Sequence, residues 1–319
     1  MPQDLQLTPA PLFEGLACGP ACGSAMWLPT QDGRRLRVCH WPVPARQGKG
    51  TVLLFPGRSE YVEKYGLAAA PLVGRGYDVL VIDWRGQGLA DRVVGDRMLG
   101  HVDDFAEYQL DVQALWQMAD QIGAPGPRYL LSHSMGGAIA LRALIEGLPV
   151  RAAAFSAPMW GVRIAPLLRP IAAPTAATLT RIGAGRRYAP STGRVNYVML
   201  VPFAGNMLTS DRKMWDWMVG HLRAHPELGL GGPSLAWLDA ALRECVALAA
   251  QPAPDVPALC AVGGRERIVE VAPIRSRMAR WPGGHLVEYP GAEHEVMMEG
   301  PAVRDRFLDL CADLFDAHP

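Results

Sequence analysis

Apolar positions along this chain follow two rhythms, and the switches between them mark out its elements. Largely apolar runs at 51–55, 78–82, 129–131, 152–156 and 258–262 are bounded by glycine, proline or polar residues, the pattern of strands buried on both faces. Residues 35–41 alternate toward a strand, and 285–289 read as another. Between these runs the period lengthens. Phe105, Tyr108, Val112, Leu115, Ala119 and Ile122 recur at three-to-four spacing, which predicts one stripe of a helix ended by Gly123. Further helices are expected over 61–73, after residue 134 up to Gly147, from Pro273 to before Pro282, and over 302–315. Strands alternating with helices predict an α/β fold with a mostly parallel, doubly wound sheet and reactive loops at the carboxyl ends of its strands.

The stretch between the runs at 152–156 and 258–262 is too long for a plain loop. It is rich in Pro, Trp and Met and holds two expected helices, one after Ser210 and one after Ser234, with both serines read as N-caps. The chain therefore divides into a first core part (1–157), an insertion (158–254) and a second core part (255–319).

At 319 residues, half of them hydrophobic, the chain can bury a large core. Its formal net charge is zero, which removes the electrostatic footprint that nucleic acid would require. Arginine supplies nearly all the positive charge, with lysine only at Lys49, Lys64 and Lys213. Six cysteines lack any C-x-x-C pair and read as core thiols, with no zinc site. No stretch approaches the ~20 apolar residues needed to cross a bilayer, so a cytoplasmic location with peripheral membrane contact is expected.

The chemistry concentrates where the apolar strand at 129–131 runs through Ser132 and His133 into Ser134, followed by Met135, Gly136 and Gly137. A serine on a sharp strand-to-helix turn, flanked by small residues, is the nucleophile elbow of an α/β-hydrolase, with Ser132 in place of the usual first glycine. A serine hydroxyl is a weak nucleophile unless an imidazole takes its proton and a carboxylate orients that imidazole. In this fold the order is serine, acid, histidine. The loop after 258–262 offers Glu266, with Glu270 as the alternative acid, and the loop after 285–289 offers His294. The remaining histidines, His133 among them, are read as surface or structural. Backbone N–H groups of Met135 and of Arg58, in the loop after 51–55, are placed to receive an oxyanion. An insertion at this point of such a sheet lies over the nucleophile, so 158–254 is read as a cap. Within it Trp160, Phe203, Met207 and Trp237 either line an apolar roof or build the cap's own core. Arg163, Arg169, Arg181, Arg186 and Arg187 either face an anionic surface or solvate helix faces.

Five segments together carry a more specific likeness: residues 55–60, 83–88, the Ser134 elbow, 206–211 and 231–237. With these the chain resembles the bacterial lysophospholipase and monoacylglycerol lipase family from about residue 25 to its end. The resemblance implies Ser134 as nucleophile, Glu266 as acid, His294 as base and the Arg58 and Met135 amides as oxyanion hole. It also implies a small lipid ester as substrate and no cofactor. Pro56 before Gly57, where monoacylglycerol lipases usually carry histidine, leans toward the lysophospholipase branch. Acyl transfer, amide or peptide cleavage on the same three residues, and a non-catalytic lipid- or protein-binding scaffold are the competing readings.

Overall fold

The computed structural model describes residues 5–44, 48–165, 167 and 169–319. Nine strands form one sheet in the order β1-β2-β3-β5-β4-β6-β7-β8-β9. They are β1 (Thr8–Ala10), β2 (Ser24–Pro29), β3 (Arg35–Trp41), β4 (Gly50–Phe55), β5 (Tyr77–Asp83), β6 (Arg128–His133), β7 (Ala153–Ser156), β8 (Ala258–Gly263) and β9 (Gly284–Tyr289). From β5 to β9 every pairing is parallel, whereas β1, β2 and β3 add an antiparallel ribbon along one edge. The runs predicted as doubly buried strands, such as β4 and β6, are buried at every position.

Ten α-helices accompany the sheet among the described residues: α1 (Glu14–Ala17), α2 (Gly66–Gly74), α3 (Glu107–Gln121), α4 (Met135–Ile145), α5 (Arg169–Leu179), α6 (Tyr197–Leu200), α7 (Arg212–Ala224), α8 (Leu235–Ala249), α9 (Val271–Met278) and α10 (Pro301–Asp316). One apolar cluster joins the sheet to α3, α4, α8 and α9, and a second joins its other face to α2, α7 and α10. This is the α/β-hydrolase arrangement, with helices on both faces of a mostly parallel sheet.

Several expectations shift in detail. The helix expected over 61–73 is two pieces, a 3₁₀ turn (Val62–Tyr65) followed by α2. The cap of α7 is Asp211, whose Oδ1 accepts from Met214 N at 2.9 Å, while Ser210 Oγ donates to Glu299 Oε2 at 2.6 Å. A carboxylate one residue further on won the capping position because the serine has a buried partner. Ser234 does cap α8, with Oγ accepting from Trp237 N at 3.0 Å. Among its described residues the segment between β7 and β8 holds four α-helices, α5 to α8, where the sequence pattern suggests two. No helix among the described residues is long and apolar enough to cross a membrane.

Candidate active site

At the end of β6 the chain must reverse sharply into α4, and Ser134 takes the turn with φ +50° and ψ −118°. That conformation costs a serine about 1–3 kcal/mol and persists only where its surroundings enforce it. They do so through three backbone hydrogen bonds. Ser134 N donates to Ser156 O at 3.0 Å, and Ser134 O accepts from Gly137 N and Met159 N, both at 2.8 Å. Gly136 is required on different grounds, since a Cβ there would lie 2.2 Å from Phe55 O.

The loops after β8 and β9 converge on this turn. His294 Nε2 lies 2.9 Å from Ser134 Oγ, and His294 Nδ1 lies 2.7 Å from Glu266 Oε2. The second carboxylate oxygen of Glu266 accepts from Ile268 N at 2.6 Å and Val269 N at 3.0 Å, which fixes the acid. With Nδ1–H donating to Glu266, Nε2 is left as the acceptor facing the serine. Burial alone would depress His294, but the charge and hydrogen bond of Glu266, reinforced by Glu295 and Glu60, raise it above the ordinary histidine value. Burial likewise pushes Glu266 up, and His294 with the two backbone donors pulls it below the usual carboxylate range. Glu270, the alternative acid, is engaged instead with Arg169 at 2.9 Å.

The loop after β4 is held on three sides. Trp84 Nε1 donates to Pro56 O at 2.9 Å, and Gly57 N donates to Glu60 Oε2. Gln87 brackets the next position, donating from Nε2 to Gly57 O at 3.0 Å and accepting at Oε1 from Ser59 N at 3.1 Å. The amide of Arg58 lies between these clamped groups. Neither it nor the Met135 N–H meets an acceptor among the described residues. Gly57 approaches the nucleophile turn so closely that a Cβ there would fall 3.1 Å from Ser134 Cβ.

These groups open onto a cavity of about 290 Å³. Ser134, His294, His133, Glu60, Lys64, Glu295 and Arg58 form its polar side. Val198 of α6, Met207, Leu208, and Met218 and Leu222 of α7 bring apolar side chains from the segment between β7 and β8. Of the four expected roof residues, Met207 lines this cavity and three do not. Trp160 is core: it stacks on Trp281 and donates Nε1 to Gly137 O at 3.1 Å. Trp237 packs against Phe105, and Phe203 packs against Trp215 and Arg212. Large aromatic rings have the most apolar surface to hide, and here most of it is used to seat the helices on one another.

Sequence reasoning missed a buried group beside the proposed base. His133 lines the cavity with its ring centroid 4.8 Å from that of His294, and burial drives it down to about 3, so it is neutral. Its Nδ1 lies 3.0 Å from Ser156 O. Ligand atoms of Glu60, His133 and Glu295 lie within 4.8 Å of one another, a spacing that suits a metal ion. The Lys64 ammonium already serves both carboxylates, 2.5 Å from Glu60 Oε1 and 2.6 Å from Glu295 Oε2. Burial would raise Glu60, but Lys64 and its other partners hold it at about 2, and burial raises Glu295 above its ordinary value. The available signal was Lys64 itself, a rare lysine in an arginine-dominated chain.

Comparison with known proteins agrees with this architecture. The chain is 34% identical over 279 residues to lysophospholipase L2 of Escherichia coli strain K12, covering 84% of this chain and 80% of that one. It is 30% identical to a probable lysophospholipase L2 of Haemophilus influenzae, covering 88% and 90%. Among solved structures, a soluble variant of monoglyceride lipase from Saccharomyces cerevisiae superposes with a TM-score of 0.72 at 21% identity over 99% of this chain and 98% of that one. A thermostable carboxyl esterase from Bacillus coagulans gives 0.73 at 16% identity over 94% and 99%; both likenesses speak to the fold. The family model described as serine aminopeptidase, S33 (Hydrolase_4) matches residues 46–301, and the chain belongs to that family of α/β-hydrolases, on the branch that holds the lysophospholipases L2.

Proposed function

We propose that this protein is a cofactor-independent serine hydrolase that cleaves the fatty-acyl ester of a lysophospholipid or monoacylglycerol. The observation that carries this reading is the continuous relay from Ser134 Oγ through His294 to Glu266. As Ser134 Oγ attacks the ester carbonyl, its proton passes to His294 Nε2, and Glu266 stabilises the imidazolium that forms. The carbonyl oxygen becomes an oxyanion and accepts from the Arg58 and Met135 N–H groups. His294 then protonates the departing alcohol oxygen, leaving the acyl group on Ser134. Water, deprotonated by His294, attacks that acyl-enzyme; as the bond from Ser134 Oγ to the acyl carbon breaks, His294 returns the proton to Oγ and the fatty acid is freed.

The segment 158–254 acts as a cap, its apolar side chains from α6 and α7 receiving the acyl chain while the ester lies at the polar side. Peripheral membrane contact fits the same segment. From 158 to 210 the sequence contains six arginines and no aspartate or glutamate. Among the described residues, six of the seven exposed large hydrophobic side chains, Leu167, Ile171, Ile182, Val195, Met199 and Leu200, also lie there. A basic, apolar surface on the cap would bring the cavity to an anionic lipid bilayer.

The test is turnover of a p-nitrophenyl acyl ester, a defined lysophospholipid and a monoacylglycerol by the wild-type protein and Ser134→Ala. Turnover lost in the variant supports the reading, and turnover that survives it would reject Ser134. The description of the matching family model as serine aminopeptidase, S33, favours a second reading, amide cleavage by the same relay. An amino-acid p-nitroanilide hydrolysed faster than the esters would establish it.

A further inference from the structure

Buried arginines in this protein are mostly neutralised. Arg37 pairs with Glu63 and Asp83, both at 2.7 Å, and Arg85 pairs with Asp111 at 2.7 Å and Asp32 at 2.9 Å. Arg58 is different. Its guanidinium donates to Ser59 Oγ at 2.7 Å and to Gly231 O at 2.6 Å, and its carbon lies 5.4 Å from the Trp237 ring. None of these partners carries negative charge. Its Nε is buried without any acceptor among the described residues. Desolvation without a neighbouring carboxylate pulls it down to about 10, which still leaves it charged at neutral pH.

Among the described residues, half-buried Arg92 and buried Arg277 also lack carboxylates, and comparison with them isolates the feature. Arg277 donates to the carbonyls of Leu248, Gln251 and Pro252 at and beyond the carboxyl end of α8, where a cation is stabilised by the helix. Arg92 donates to Gly88 O at 2.9 Å, away from the cavity. Arg58 alone of the three lines the cavity that holds Ser134. The other cation there, Lys64, already faces two carboxylates. A half-buried guanidinium that its own protein leaves without a counter-ion, on a residue that lines a reaction cavity, is a place where a ligand can supply one.

We propose that the Arg58 side chain is the subsite for an anionic oxygen on the polar end of the substrate, and that it makes the cavity select a phosphate-bearing lysophospholipid over a neutral monoacylglycerol. This rests on the ester-hydrolase reading above and resolves the choice that reading leaves between its two substrates. The covalent layout fits. A glycerol unit sets the phosphate a few bonds from the scissile ester, and the arginine side chain sets its guanidinium a few bonds from the amide assigned to the oxyanion. One residue would thus hold the reacting carbonyl through its backbone and the headgroup through its side chain.

The experiment compares lysophosphatidylglycerol and monoacylglycerol of the same acyl chain in wild type, Arg58→Gln and Arg58→Lys. The quantity read is the ratio of their kcat/KM values within each protein, so that any disturbance of the loop common to both substrates cancels. Arg58→Gln is expected to lower the phosphate-to-neutral ratio about 10- to 100-fold, the range for a hydrogen bond to a charged group. Arg58→Lys, which keeps charge but loses the fork, is expected to restore part of it. A ratio unchanged in both variants would overturn the proposal and leave the hydrolase reading standing. In parallel, binding of 1-hexadecylglycerol 3-phosphate, its uncharged ether 1-hexadecylglycerol, and glycerol 3-phosphate to the same proteins needs no turnover. A preference for the charged ether that Arg58→Gln removes supports the subsite even if no ester were cleaved. Equal affinity of the two ethers would contradict it, and glycerol 3-phosphate binding as tightly as the charged ether would reject a lipid headgroup as the source of the anion.

Discussion

Ser134 sits in a conformation that few residues tolerate, and its hydroxyl faces an imidazole whose other nitrogen is committed to Glu266. Replacing it with alanine is expected to lower kcat by a factor on the order of 10⁶ in ester turnover. The pH dependence follows from the raised His294. As the proposed base, His294 works only as neutral imidazole, so kcat/KM should be low below the His294 titration and rise through it, with its inflection above the ordinary value of about 6.5. Glu266→Gln removes the largest influence raising His294 and is expected to move that inflection down while lowering kcat by about 10³- to 10⁴-fold. A pH–rate profile of the two proteins checks both the direction and the difference. That Ser134, Glu266 and His294 would meet was legible because each follows a strand at a place the fold prescribes. Lys64, His133 and Glu295 were not, because their importance comes from burial and from meeting across the sheet's end, which no local spacing encodes.

At the scale of elements, the loop after β4 owes its shape to partners from two directions. Gln87 holds both flanks of the Arg58 amide, so Gln87→Ala should lower kcat about 10- to 100-fold with a smaller effect on KM, provided that amide serves the transition state. Equal losses in binding of a substrate ether analogue would show that Gln87 shapes the pocket instead. Ser234 caps α8 and also meets His101 Nδ1 at 2.9 Å. Ser234→Ala is expected to cost about 1 kcal/mol or somewhat more, read as a lowered denaturation midpoint at unchanged slope. Helices with a clean apolar stripe, such as α3, and the doubly buried strands were readable from period alone. The antiparallel β1–β2 ribbon and α5 were not. β1 is only three residues long, and α5 carries an internal proline and a single buried residue, so neither has an apolar pattern to announce it.

Over the whole molecule, zero net charge conceals an uneven distribution, with the acid-free stretch from 158 to 210 offset by carboxylates elsewhere. If that stretch docks on lipid, the protein should cosediment with phosphatidylglycerol vesicles more than with phosphatidylcholine vesicles, and less as salt rises. Changing the exposed Arg181, Arg186 and Arg187 together to glutamine is expected to weaken that partitioning roughly 100-fold, at about 1 kcal/mol per arginine. Hydrolysis of a short soluble ester should be unaffected. The outcomes read in turnover presuppose that Ser134 is activated by His294 and Glu266, and that claim has a direct readout. The folded protein is treated with a fluorophosphonate, digested and mapped by mass spectrometry, in parallel with His294→Ala. The expected result is a single adduct on Ser134 in the wild-type protein and almost none in the variant; no adduct on Ser134 in the wild type, or equal labelling of both proteins, would contradict it.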